Sequence, residues 1–187
     1  MNDNTNLPFR EVSKNGWALK SIPKELRTAE LCALAVETFS PRISNTESIL
    51  RSVPLPLRTP DLCGKAVQKD GCAIRDVPNS LLTYEMCLDA VRYEGCEIAY
   101  VPERYRTGEL CLAAVRDDGM ALSYVPQEHI TEEMCYSAVR NAPLSLQFVP
   151  TQYRSDTLLV FAARHDRHGD ILKIKDAEIA KQYVSLR

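Results

Sequence analysis

Apolar residues recur along this chain in pairs rather than in alternation. In TYEMCLDAVR, TGELCLAAVR and TEEMCYSAVR they fall three, four, seven and eight residues after a threonine, with polar residues between. These spacings place Met86, Cys87, Ala90 and Val91, and likewise Leu110, Cys111, Ala114 and Val115, on one stripe of an α-helix of about three turns. Thr83, Thr107 and Thr131 occupy the N-cap position, and Glu85, Glu109 and Glu133 put a carboxylate beside the positive helix end. With the cap as slot 0, slot +12 holds Gly95 or Gly119, which predicts a left-handed C′ residue ending the helix. A second apolar pair at slots +15 and +18 (Ile98 and Val101, Leu122 and Val125) predicts a short helix stopped by Pro102 or Pro126. Each unit thus reads as a long helix A followed by a short helix B.

The caps step by 24 residues, and self-similarity at a short fixed period indicates a solenoid. The expected fold is all-α: an α-solenoid, a superhelical array of 24-residue two-helix repeats in about seven layers, forming one domain over residues 1–187. Residues 1–27 read as a degenerate capping repeat, with Asn4 at the cap, Leu7 and Val12 in core slots and Trp17 as a plug for the open end. Residues 28–58 carry an insertion at 40–48, whose Pro, Ser and Asn predict a loop: either a tolerated surface insertion or part of a binding face. Four regular repeats fill 59–154, with Pro60 suited to the first helical position and Pro143 in place of the glycine. Residues 155–187 form an atypical last repeat, capped by Ser155, with Leu159 in the cysteine slot and a late Gly169. A capping helix is expected from Asp176, with Ile179, Ala180, Tyr183 and Val184 as its apolar stripe.

Composition narrows the partners. Twenty-three basic against 25 acidic residues give a net charge of −2, which argues against a nucleic-acid binder and against an anionic membrane surface. The N-terminal MNDNTNLPFREV has no apolar signal core, and no apolar run approaches the roughly 20 residues that span a bilayer. A cytoplasmic protein is expected, delivery to another cell by a specialised secretion system being outside this test. Five of the seven cysteines (Cys32, Cys63, Cys87, Cys111 and Cys135) share slot +4, and Cys72 and Cys96 share slot +13. Helices stacked about 8–10 Å apart are too distant for disulfides between slot +4 residues, and no CxxC spacing suggests zinc. Buried, reduced thiols in a reducing compartment are the reading that follows.

Asn15-Gly16-Trp17-Ala18-Leu19, with Glu25-Leu26-Arg27 and Ala35-Val36, resembles the short helical repeats catalogued as domain of unknown function 4116. Ala114-Val115 and Asp118-Gly119-Met120-Ala121-Leu122 repeat the resemblance, which covers most of residues 14–167. The Val-Pro pairs and the cysteine ladder depart from it. The resemblance implies an all-helical repeat array of the kind found in bacterial effector-like proteins and some eukaryotic microbes, and it carries no catalytic residues.

Three sets of residues are candidates for chemistry or binding. His165, Asp166, His168 and Asp170 could supply metal ligands, with His165 and His168 one turn apart; equally, they could stabilise a helix C-terminus without a metal. Slot +9 holds Arg92, Arg116, Arg140 and Arg164, and slot +17 holds Tyr100, Tyr124 and Phe148, with Asp76 as the exception. These rows are either helix-end charge compensation and seam filler or a contact surface for a protein partner with an acidic face. Arg27, Arg58, Arg106 and Arg154 precede the caps, the first three placed to pair with Glu30, Asp61 and Glu109.

No nucleophile-base order, phosphate loop or carboxylate pair is present, so no catalytic residue, cofactor or small-molecule substrate is expected. The expected function is a non-enzymatic protein-binding module, effector-like or scaffolding. The alternatives are a small inhibitor or immunity protein that neutralises a toxin or enzyme, and a metal-dependent enzyme built on His165 and His168.

Overall fold

The structure is a computed structural model that describes residues 7–41, 47–166, 169, 171, 174 and 179. Among the described residues it is all-helical, with no strand. Its α-helices are α1 (Leu7–Lys14), α2 (Ala29–Thr38), α3 (Pro60–Lys69), α4 (Tyr84–Tyr93), α5 (Gly108–Asp117), α6 (Glu132–Asn141) and α7 (Asp156–His165). The chain divides into two compact units, Met1–Tyr93 and Glu94–Arg187. The stretch expected to form a helix from Asp176 lies, except for Ile179, outside the described residues, as does most of the 40–48 insertion.

Six of the expected caps form, and the seventh, Asn4, lies outside the described residues. The hydroxyls of Thr28, Thr59, Thr83, Thr107, Thr131 and Ser155 each accept the backbone N–H three residues on, at 3.2–3.3 Å. This satisfies one of the donors that a helix start leaves unpaired. The stripes at slots +3, +4, +7 and +8 are buried in α2 to α6. In α1 Val12 is buried but Leu7 is 55% exposed. Its expected place in the core is therefore corrected: an end helix covers only part of its stripe.

Helix B forms as a short helix, as expected. It is a 3-10 helix over Gly16–Ser21, Ile49–Ser52, Gly71–Asp76, Gly95–Tyr100, Gly119–Tyr124 and Pro143–Phe148. Its three-residue turn superposes slots +15 and +18, both of which are buried: Ile98 with Val101, Leu122 with Val125. The proline that was expected only to stop it also begins a further 3-10 turn, as in Pro102 before Glu103–Tyr105 and Pro126 before Gln127–His129. In the second unit the 3-10 helix Gly119–Tyr124 packs against both α5 and α6.

The slot +12 glycines are not left-handed. Gly169 has a positive φ, 70°, whereas Gly16, Gly71, Gly95 and Gly119 do not. They are required for close approach instead. A Cβ on Gly95 would lie 2.5 Å from the carbonyl oxygen of Ala114, and one on Gly119 would overlap the carbonyl oxygen of Ala138. Each glycine lets the 3-10 helix lie against the backbone of the next α-helix.

Within each unit, two further slots join successive helices. At slot +10, Thr38, Lys69 and Asn141 donate to last-turn carbonyls of the preceding α-helix: Thr38 to Val12 at 2.7 Å, Lys69 to Val36 at 3.2 Å and also Glu37, and Asn141 to Arg116 at 2.7 Å. These are carbonyls that a helix end leaves without partners. The arginines before the caps do not serve as partners for the acids three residues on; their guanidiniums bond carbonyls. Nε of Arg58 donates to Val53 and Nη1 to Asp76, at 3.1 and 2.6 Å. Arg106 repeats this on Val101 and Tyr124, at 2.9 and 3.0 Å. The planar fork presents donors from separate nitrogens in fixed directions, so it reaches the carbonyls of two different segments, whereas the donors of lysine all sit on one nitrogen. Where the arginine is absent, buried Leu82 and Ile130 fill the place.

Candidate functional site

In the second unit, α5, α6 and α7 each end in an exposed arginine: Arg116, Arg140 and Arg164. Arg92 is the equivalent residue at the end of α4 in the first unit and is also exposed. Arg116 is committed: its Nη2 lies 2.6 Å from Oε1 of Glu133 at the start of the next helix. Both partners are more than half exposed, 58% and 61%, so the pair contributes under about 1 kcal/mol. One repeat on, the residue in the slot of Glu133 is Thr157, which cannot neutralise Arg140. Among the described residues, Arg140 therefore lacks the carboxylate that Arg116 has.

Arg116 and Arg140 face one open cleft of about 380 Å³, whose remaining walls are Glu133, Tyr136, Ser137 and Phe161. Tyr136 precedes Arg140 by one helical turn on α6, so both emerge on the same face. Phe161 of α7 meets the Tyr136 ring edge-on, with centroids 5.2 Å apart and planes at 72°. His165 stacks on Phe161 at 4.1 Å, and its Nδ1 lies 2.9 Å from the Phe161 carbonyl oxygen. The cleft thus combines an arginine lacking a carboxylate partner with a fixed aromatic wall, a composition enriched in protein interfaces.

The aromatic row at slot +17 lies elsewhere. Tyr100 and Tyr124 are exposed, at 49% and 42%. Phe148 is half-buried in a separate groove of about 490 Å³ with Leu122, Ile130 and Gln147. The Arg116–Arg140 cleft includes none of these three aromatics. Sequence reasoning took them to be the neighbours of the arginines and missed Tyr136 and Phe161. A usable signal existed: Tyr136 stands in the slot held by Leu88 and Leu112, and Phe161 in the slot held by Asp89, Ala113 and Ser137.

The proposed metal cluster is only partly described. His168 and Asp170 lie outside the described residues. Asp166 is buried, and its Oδ2 accepts the Ile171 N–H at 3.3 Å, which ties down the chain after α7. Asp166 and His165 thus each have a local structural contact.

All five cysteines of slot +4 are fully buried. Burial raises the pKa of Cys32 and Cys63 above 9.0, opposed by Arg27 and Arg58 respectively. It pushes Cys111 up to about 11 against Arg106, and Cys135 up to about 11 with help from Glu132. A thiol held protonated is a poor nucleophile and a poor metal ligand.

No helix among the described residues is long and apolar enough to cross a membrane. The fold and cleft describe an all-helical protein with an arginine-aromatic recess on one unit. Comparison with protein-family models, with curated proteins and with solved structures gives no match.

Proposed function

We propose that the chain is a non-enzymatic protein-binding module of the α-solenoid class, built from 24-residue two-helix repeats, which takes an acidic segment of a partner protein at the Arg140 cleft. The observation that carries this reading is the exposed guanidinium of Arg140, without the carboxylate that neutralises Arg116, set beside Tyr136 and Phe161. A partner carboxylate would complete the arginine as Glu133 completes Arg116, while an adjacent apolar group would pack on the aromatic wall. The exposure of Arg116, Arg140 and Arg164 near the ends of α5, α6 and α7 supports this use. The test is selection of displayed peptides on the whole chain, followed by measurement of the selected peptides on Arg140→Glu and Tyr136→Ala variants. Acidic peptides that lose at least tenfold in affinity on both variants support the reading. Selected peptides that bind both variants unchanged would reject it.

A further inference from the structure

The first unit carries a second recess of different chemistry. It is an open groove of about 400 Å³ walled by Lys24, Arg27, Arg51 and Arg58 around Val53, Leu55 and the flanking prolines 54 and 56. We propose that this groove binds an extended acidic peptide bearing one aliphatic side chain, as a site separate from the Arg140 cleft.

Two of the cations belong to the scaffold and are already oriented. Arg27 donates to the carbonyls of Ile22, Ser52 and Lys20 at 2.7, 2.6 and 3.2 Å. Arg58 donates to the carbonyls of Val53 and Asp76 at 3.1 and 2.6 Å. Neutral carbonyls fix these guanidiniums without cancelling their charge. The field they create in the groove is therefore positive and preorganised.

Of the other two cations, Lys24 has no cationic counterpart in the later copies, and Arg51 has cationic counterparts only in the first unit. In the slot of Lys24 the later copies place Leu55, Asn79, Glu103, Gln127 and Thr151. In the slot of Arg51 the first unit also places Lys20 and Arg75, whereas the second unit places the neutral Ala99, Ser123 and Gln147. The fold does not require a positive charge at either place, so these charges are additions to it. Asp76 offsets part of the Arg51 charge, with both of its oxygens 3.2 Å from Nε of Arg51, but it is not a wall of the groove. Among the described residues, the groove walls thus hold four cations and no carboxylate, in a chain whose net charge is −2.

The remaining walls choose between anionic macromolecules. Single-stranded nucleic acid is held by bases stacking on aromatic side chains, and this groove has none. Its apolar surface is aliphatic, and Leu55 is 66% exposed. Proline rings and a leucine suit a leucine or isoleucine side chain flanked by carboxylates that reach the rim cations.

The probe is a fluorescein-labelled peptide with one leucine between two pairs of glutamates, titrated into the full chain at low ionic strength and followed by anisotropy. Saturable binding is expected. It should weaken at least tenfold in Lys24→Glu with Arg51→Glu, several-fold when the peptide leucine becomes serine, and not at all in Arg140→Glu, which separates this site from the other cleft. Thermal melting checks that the double variant folds; if it does not, the exposed Leu55→Asp change is used in its place, with the same loss expected. Absence of binding at millimolar peptide overturns the proposal. So does affinity unchanged by the groove variants, or an oligothymidylate that binds the wild type more tightly than the peptide.

Discussion

The guanidinium of Arg106 engages Tyr124 in two ways: Nη1 donates to its backbone carbonyl at 3.0 Å, and the guanidinium carbon lies 5.8 Å from the centre of its ring. The same side chain holds the Val101 carbonyl through Nε. One half-buried arginine therefore joins the end of one 3-10 helix to the end of the next. Arg106→Ala is expected to cost about 2 kcal/mol, because two carbonyls lose a charged donor. Arg106→Lys should recover less than half of that, since the single nitrogen of an ammonium cannot take the places of both Nε and Nη1. Urea unfolding of the three proteins decides the matter; full recovery by lysine would mean that charge alone, not the fork, is what counts.

This arginine illustrates what the sequence could and could not reveal. Its spacing from Glu109 invited a helical ion pair, a contact with a sequence-local signature. Its actual partners are carbonyls, which have no residue signature, so the lacing at this slot and at Lys69 and Asn141 was invisible. Caps and buried stripes were legible because Thr107, Leu110, Cys111, Ala114 and Val115 act through their own chemistry at helical spacing. The 3-10 form of helix B was not, since a six-residue segment has too few turns to set one period against another. The Arg140 cleft was half legible: the arginine row could be counted, but which aromatics share its recess depends on the packing of α6 against α7.

Glycine substitutions separate close approach from backbone freedom. Gly119→Ala should cost at least about 3 kcal/mol, because its Cβ would meet the Ala138 carbonyl, and backbone cannot give way as a flexible side chain can. Gly108, at the first position of α5, has no atom within 4 Å of an added Cβ. There Gly108→Ala should stabilise by about 0.5 kcal/mol through the unfolded chain. Thermal melting of the pair checks both signs. Equal effects would show that the slot +12 glycines are not packing-determined.

Ser145 marks a place where the repeat can be improved. Its slot holds Ala73 and Ala121 in sister repeats, both buried. Its Oγ is buried without a hydrogen-bond partner among the described residues. Removing an unsatisfied hydroxyl relieves a desolvation cost of about 1–3 kcal/mol, less the packing lost with one atom. Ser145→Ala is expected to raise the melting temperature, and a fall would reveal a partner that the hydroxyl acquires in solution.

The buried cysteines contribute to the loss of stability at alkaline pH. Cys111 and Cys135 titrate near 11 in the folded chain against an ordinary value of 9.0, because burial disfavours the thiolate. Between those values the unfolded chain has released protons that the folded chain still holds. Deprotonation then favours unfolding, so this contribution is complete below about pH 9 and is lost as the pH rises toward about 11. Cys32 and Cys63, raised for the same reason, add to the fall. The measurement is a difference between two proteins, so that contributions common to both cancel. Unfolding free energy is followed from pH 8 to pH 11 for the wild type and for Cys111→Ala with Cys135→Ala. The variant is expected to start less stable, through lost packing, and to lose less as the pH rises. Thiol labelling of the folded wild type at neutral pH should be slow at both positions and become fast in urea. Parallel pH profiles, or rapid labelling without denaturant, would show that these thiols are open to solvent rather than sealed in the helix seam.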